Sequence, residues 1–164
     1  LPLKEKQVKL FVKNMDKKVA EQYGTVVEKP ADADFILVRA NTPFVPVPGS
    51  SIIAKLFHHG DLDFKGEALQ ELLDLCQTKP TIFIINLDRP AVFPEINAAA
   101  KGVFGEFGAS DAAVLDVVFG KSKPQGKLPF ELPSSMEAVR EQKEDVPYDS
   151  KGALYKFGVG LLYD

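Results

Sequence analysis

The chain has 164 residues, 45% hydrophobic and 26% charged, with a formal net charge of −3. That length holds the single core of one ordinary domain, and the composition is that of a globular protein. Twenty Lys and Arg against 23 Asp and Glu give no basic surface of the kind that displaces counterions from a nucleic acid.

Neither a membrane nor a disulfide framework is indicated. No run approaches the roughly 18 apolar residues that span a bilayer. The lone Cys76 excludes an intrachain disulfide, and its place on an apolar helix face fits core packing. The chain begins at Leu1 rather than Met and reads as a trimmed piece. A missing leader therefore leaves the parent's localisation open, secreted and periplasmic addresses included.

Val8-Lys9-Leu10-Phe11-Val12 is rich in β-formers and partly alternates, which predicts a first strand. Residues 13–23 are polar with spaced apolar positions, and Gly24 follows; this predicts a helix with a stop. Thr25-Val26-Val27 predicts a short strand. Phe35-Ile36-Leu37-Val38 and Thr81-Ile82-Phe83-Ile84-Ile85 are continuous apolar runs, the pattern of central parallel strands covered on both faces.

Between them, Ala68, Leu69, Leu72, Leu73 and Cys76 recur on one stripe of a helix over residues 66–77, and Pro80 ends the pattern. Residues 90–100 read as a short helix or helical loop. Gly102-Val103-Phe104-Gly105 reads as a strand whose glycines permit close backbone approach. Ser110 is placed to cap a helix through Phe119, with Gly120 at its end. The alternation predicts one domain over residues 1–164, a three-layer α/β/α sandwich with a mostly parallel central sheet. Prolines and glycines after Lys121 predict an extended tail, residues 121–164, wrapped on that domain.

Ligands of open parallel sheets sit beyond the carboxyl ends of the strands. Here those ends lead into residues 39–63, 86–94 and 106–111. The first is long and has little helical or strand pattern, which is the mark of a functional loop. It carries Thr42-Pro43-Phe44-Val45 and Phe57-His58-His59-Gly60-Asp61. The paired histidines do not make a metal site, because adjacent side chains diverge and no third ligand recurs at useful spacing. Gly105-Glu106-Phe107-Gly108 lacks both the Walker Lys-Ser/Thr and the dinucleotide glycine spacing. Ser110 lacks the elbow of a nucleophilic serine. Neither a metal nor a cofactor is expected.

Four ordered stretches carry a resemblance. They are Thr42-Pro43-Phe44; Phe57-His58-His59-Gly60 with Leu62-Asp63-Phe64; Arg89-Pro90-Ala91-Val92-Phe93-Pro94-Glu95-Ile96; and a tail set. The tail set is Phe119-Gly120-Lys121, Pro124, Gly126-Lys127-Leu128-Pro129-Phe130, Leu132-Pro133 and Phe157-Gly158-Val159-Gly160-Leu161-Leu162-Tyr163. Together they resemble the C-terminal α/β domain of glycoside hydrolase family 3, over nearly the whole chain. The resemblance implies a parent that hydrolyses β-linked sugars, of the β-glucosidase or β-xylosidase kind. It implies a separate N-terminal (β/α)8 barrel that carries the nucleophilic carboxylate and is not among these residues. This domain would pack on that barrel and lend a loop to the sugar site, with the barrel and carbohydrate as its partners. Alone it is expected to be inactive.

The resemblance also implies site residues. One branch of the family has a "TPYE" element followed by "FFHxGxLDF". Val45 occupies the acidic position of the first, and Phe44 its aromatic position without the hydroxyl. A valine cannot transfer a proton, so no catalytic residue is expected in this chain. The expected sugar contacts are Thr42, Phe44, His58, His59 and Asp61. A histidine there can donate to a sugar hydroxyl or hold a neighbouring carboxylate.

A retaining glycosidase needs two carboxyls about 5–5.5 Å apart, one kept protonated by burial. Asp61 and Asp63 are the carboxyls left on the loop. Asp63, between Leu62 and Phe64, is expected to face solvent or a cap. Two other readings stay open. A stand-alone regulatory domain of the receiver type wants an acidic pair after the first strand and an Asp after the third; Asn14, Asp16 and Arg39-Ala40-Asn41 speak against it. An interaction domain from a parent that has lost glycosidase activity is favoured by Val45. Residues 41–60 are expected to be irregular, mobile, poor in backbone pairing, and beside residues 86–94. Phe44, Val45, Phe57 and the tail aromatics are expected to form an exposed barrel-facing patch.

Overall fold

A computed structural model describes residues 1–3, 7–48, 52 and 56–163. Its main sheet has five parallel strands: β1 (Lys9–Lys13), β2 (Thr25–Val26), β3 (Phe35–Asn41), β6 (Thr81–Asn86) and β7 (Gly102–Glu106), in the order β2-β1-β3-β6-β7. Two further short strands, β4 (Val45–Pro46) and β5 (His58–His59), form an antiparallel pair in the loop after β3. Helices among the described residues include α1 (Lys17–Ala20), α2 (Gly66–Thr78), α3 (Pro94–Ala99), α4 (Asp111–Val118) and α5 (Met136–Arg140).

The apolar runs are central strands because both of their faces are covered. Strand side chains alternate between faces. Leu37, Ile82 and Ile84 therefore pack with Leu10, Val12 and Phe104 against Ala20 of α1 and Val114, Leu115 and Val118 of α4. Ile36, Val38, Phe83 and Ile85 face the other way, onto Leu72 of α2 and Ile96 of α3. Each such side chain taken fully out of water contributes about 1.5–3 kcal/mol. Three layers result, as the sequence pattern requires.

Several boundaries move for local reasons. Helix over residues 13–23 shrinks to Lys17–Ala20, because Asn14 takes a left-handed φ of 59° and breaks the path from β1. Asp16 then caps the helix, its Oδ1 accepting from Lys18 N at 2.8 Å. Gly24 is required where it stands, since a Cβ there would collide with the Val8 carbonyl. β3 runs on to Asn41, because Arg39, Ala40 and Asn41 pair with Ile84, Ile85 and Asn86. The helix expected over residues 90–100 forms over Pro94–Ala99, with proline in its first turn, where its missing N–H costs nothing. Ser110 does cap α4, accepting from Ala113 N.

The tail is not wholly extended, because Ser135 caps the short helix α5 by accepting from Ala138 N at 3.0 Å. Elsewhere it is strapped to the domain. Leu132 bridges Tyr155, Leu128 N donates to Val159 O at 2.8 Å, and Tyr163 OH donates to Val117 O at 2.8 Å.

One charge network ties the carboxyl ends of the strands together. Arg39 Nη1 donates to Asp111 Oδ1 at 2.5 Å, and Nη2 to Glu106 Oε1 at 2.9 Å and to the Ala109 carbonyl. Glu106, 6% exposed, also accepts from Gly108 N at 2.6 Å and Ala109 N at 2.7 Å. Asp111 Oδ2 accepts from Asp16 N at 2.8 Å, and Asn14 Nδ2 donates to the Arg39 carbonyl at 2.9 Å. Burial works against the Arg39 charge, but the hydrogen bonds and charges of Glu106 and Asp111 outweigh it and hold its pKa above the ordinary value.

Glu106→Ala leaves the guanidinium with one carboxylate and strips two backbone N–H groups of their acceptor. It should destabilise the domain by about 3 kcal/mol in urea unfolding, and a loss below about 1 kcal/mol would show the network to be dispensable.

Tyr23 OH donates to Asp116 Oδ1 at 2.7 Å, with Lys121 Nζ 3.8 Å above its ring. Desolvation, then the Asp116 hydrogen bond and charge, push its pKa to about 12. The unfolded phenol titrates near 10. This raised pKa therefore contributes stability that is fully present below about pH 10 and lost as pH rises toward 12. In a phenolate absorbance titration, Tyr23→Phe should remove a late-titrating step; an unchanged late limb would contradict the assignment.

Candidate functional site

The loop after β3 lies at the carboxyl edge of the sheet, beside the turn after β6. Thr42 starts it and is 1% exposed. Its N–H donates to Asn86 O at 3.1 Å, which extends the β3–β6 ladder by one residue. Its hydroxyl sits 2.9 Å from Asn86 O and 3.0 Å from Arg89 O. The Thr42 side chain is thereby committed to backbone.

Arg89 gathers both arms of the loop. Nη1 donates to the carbonyls of His58 (3.3 Å) and Gly60 (3.2 Å), and Nη2 to those of Pro43 (2.6 Å) and Asp61 (3.1 Å). A guanidinium holds its donors in a rigid planar fork, so one side chain can fix four acceptors in one plane.

The arms themselves pair, Val45 with His59 and Pro46 with His58. Directly opposed residues of an antiparallel pair share a face. Val45 and His59 therefore look one way, Pro46 and His58 the other. His58 Nδ1 lies 2.5 Å from Asp88 Oδ2, and its ring stacks on Phe44 with centroids 3.9 Å apart and planes at 15°. His59 is exposed. Gly60 follows β5 at φ +86°, and a Cβ there would come within 2.6 Å of Val45 Cγ2. Only glycine satisfies both the left-handed backbone and the contact.

Asp61 lies 2.6 Å from Lys65 Nζ and 3.2 Å from Arg140 Nη2 on α5. The hydrogen bond and charge of Lys65, with a smaller contribution from Arg140, hold its carboxyl below the usual range. It is a carboxylate near neutral pH and unsuited to donate a proton. Asp63 departs from the solvent-facing expectation. Its backbone bridges Val92, and its side chain, 26% exposed, has Oδ1 3.4 Å from Lys65 Nζ with no hydrogen bond to that oxygen.

Of the five residues expected to meet a sugar, Phe44 and His58 touch each other, His59 faces away from them, Asp61 is latched to the tail, and Thr42 lies beneath. Asp88, Arg89, Lys65 and Arg140 complete the cluster and carried no role in the sequence reading. Asp88 and Arg89 had a usable signal, a charged pair at the carboxyl end of a buried strand. The loop also has more backbone pairing than expected, through β4–β5. Residues 49–51 and 53–55 of the irregular-loop expectation fall outside the described residues. Phe44, Val45 and Phe57 are exposed by 41%, 52% and 63%. The tail aromatics divide: Phe157 is exposed, whereas Tyr163 packs on the core. Among the described residues no group of three or more His, Cys, Asp or Glu is placed to hold a metal ion, and no helix is long and apolar enough to cross a membrane.

A five-stranded parallel α/β sandwich with a clamped hairpin at its carboxyl edge thus defines the class of domain. The chain belongs to the glycosyl hydrolase family 3 C-terminal domain family, whose sequence pattern it matches over residues 2–163. "Probable beta-glucosidase C" of Aspergillus flavus is 45% identical over 166 residues, which are 99% of this chain and 26% of that protein. "Periplasmic beta-glucosidase/beta-xylosidase" of Dickeya chrysanthemi is 34% identical over 164 residues, 98% of this chain and 25% of that one. The chain therefore spans about a quarter of the length of these relatives. Among solved structures, a glycoside hydrolase family 3 β-glucosidase from Neurospora crassa superposes with a TM-score of 0.68 at 13% identity, over 99% of this chain and 29% of that one. A β-glucosidase from Listeria innocua in complex with isofagomine gives 0.67 at 17% identity, over 99% and 31%. These likenesses show the fold.

Arg89→Ala strands four loop carbonyls and should destabilise the domain by about 2–3 kcal/mol. Arg89→Lys, a single ammonium, should recover less than half of that, roughly 1 kcal/mol. Hydrogen exchange should accelerate at the amides of residues 57–64 and stay unchanged in β3 and β6. Equal acceleration in the central strands would contradict a local clamp.

Proposed function

We propose that this chain is the C-terminal domain of a β-glycosidase of the β-glucosidase or β-xylosidase kind, and that it works beside a barrel domain of the same polypeptide. The observation that carries the reading is the hairpin pinned by Arg89 at the carboxyl edge, which holds Phe44 and His58 stacked on one face and leaves His59 exposed on the other. The names of the curated relatives support it, as does the quarter of their length that the chain spans.

In this reading Phe44 offers an apolar platform and one of the two histidines a hydrogen bond to a sugar hydroxyl. Thr42 and Asp61 shape the loop, and Asp61 keeps lone pairs for a hydroxyl. Phe44, Val45 and Phe57 supply apolar surface for the barrel. The nucleophilic carboxylate belongs to that barrel.

In this reading the nucleophile lies on the barrel, and the proximity of two carboxyls is what makes the reaction fast. It should not turn over aryl β-glucoside, β-xyloside or N-acetyl-β-glucosaminide, whereas the full-length polypeptide should hydrolyse an aryl β-glucoside or β-xyloside. Turnover by the isolated chain, retained through repurification, would overturn the division of labour. Val45 favours a second reading, an interaction domain from a parent without glycosidase activity. An inactive full-length polypeptide would select it.

A further inference from the structure

Of the two neighbouring histidines on the hairpin, His58 is the one whose ring is held. Its Nδ1 lies 2.5 Å from Asp88 Oδ2, and its ring stacks on Phe44 with centroids 3.9 Å apart. Its carbonyl accepts from Arg89 Nη1 at 3.3 Å, so the backbone beneath the ring is fixed as well. Asp88 stands on an equally fixed turn. Its N–H donates to Asn86 Oδ1 at 3.1 Å, and the Thr42 hydroxyl donates to the carbonyl of the next residue, Arg89, at 3.0 Å. A continuous set of contacts therefore runs from the end of β6 to the His58 ring.

Stability does not account for the last of these contacts. The side chains of His58 and Asp88 are 37% and 36% exposed, and a pair so open to water adds little. The hairpin already has four bonds from Arg89. What the contact does fix is the ring. In a neutral imidazole one nitrogen donates and the other accepts, and the partner of the first decides which is which. An ionised carboxylate only accepts. Asp88 therefore draws the proton to Nδ1 and leaves the lone pair on Nε2, while Phe44 sets the plane of the ring. Among the described residues the ring makes one hydrogen bond, through Nδ1.

We propose that Asp88 is a positioning residue of the sugar site, which through His58 presents Nε2 as the acceptor for one sugar hydroxyl. The proposal rests on the β-glycosidase reading and gives the histidine contact to His58 rather than His59. No proton is transferred: the hydroxyl keeps its hydrogen and donates it to Nε2, and the ring keeps its own on Nδ1. The ring is oriented before a sugar arrives, which lowers the cost of ordering it on binding. The result is selectivity. A sugar without that hydroxyl leaves Nε2 unpaired, and a site built to bond a hydroxyl discriminates against the analogue that lacks it.

The test uses the full-length polypeptide and 4-nitrophenyl β-glucoside with its 2-, 3-, 4- and 6-deoxy forms, or the xyloside set where that sugar is the one turned over. Each deoxy form has a penalty, the factor by which its kcat/KM falls below that of the parent sugar. His58→Phe keeps a ring to stack on Phe44 but removes Nε2. It should shrink the penalty at one position by about tenfold and leave the others within about twofold. Asp88→Asn has nearly the same shape but can donate as well as accept, so it no longer fixes the ring. It should shrink the penalty at the same position by about threefold or more. In the double variant Asp88→Asn should add less than about twofold to His58→Phe, as for a residue that acts through its neighbour.

A hairpin that is merely loosened lowers kcat/KM for all the sugars alike and leaves every penalty unchanged. That outcome in both variants, or no change in either, overturns the proposal and leaves the β-glycosidase reading intact. So does an Asp88→Asn effect that persists in full beside His58→Phe, since Asp88 would then touch the sugar itself. If His58→Phe does not fold, the position-selective change in Asp88→Asn decides alone. A wild-type polypeptide inactive on both the glucoside and the xyloside overturns both readings.

Discussion

The fold turns on one guanidinium shared between two carboxylates. Arg39 holds Glu106 of β7 and Asp111 of α4, while its own carbonyl is held by Asn14 from the end of β1. In the strand order β2-β1-β3-β6-β7, the chain reverses direction across the sheet between β1 and β3. That is where open parallel sheets usually leave a ligand crevice. Here the carboxyl ends around the reversal are knitted together by charge. The hairpin stands beside this network, where the loop after β3 rises over the turn after β6.

A second arginine does for the hairpin what the first does for the sheet, with different partners. Arg39 is neutralised by carboxylates. Arg89 spends its fork on four main-chain carbonyls and on no side chain of the loop. Backbone acceptors make the clamp indifferent to the loop's side chains, so residues such as Val45 and His59 can differ among chains that share the frame. Asp61 adds a latch from another direction, joining the hairpin to Lys65 at the start of α2 and Arg140 of α5.

The central strands were legible because burial on both faces leaves an unbroken apolar run, as in Thr81–Asn86. Ser110 was legible because its capping chemistry is local. The end of β3 was not: Arg39, Ala40 and Asn41 are strand residues only because Ile84, Ile85 and Asn86 lie beside them. The short hairpin was hidden for the same reason, since two residues per strand carry no period. The candidate site showed its loop and its histidines in the sequence. It did not show which face each histidine would take, nor that Arg140, distant along the chain, would meet the loop. Such pairings depend on register and on the path of the tail, and neither is written in local spacing.

The route of that tail sets an order of assembly. Leu132 completes the core on one side of the sheet, while Leu161 and Tyr163 close the other. Arg140 reaches Asp61 on its way between them. A growing chain can lay down every strand of the sheet and still have apolar ground bare on both sides. It reaches closure only through contacts of long sequence separation, which form slowly and late. Truncation within the tail therefore yields an open, association-prone intermediate rather than a smaller working domain, and the hairpin receives its last latch only when the strap that seals both cores has been drawn across.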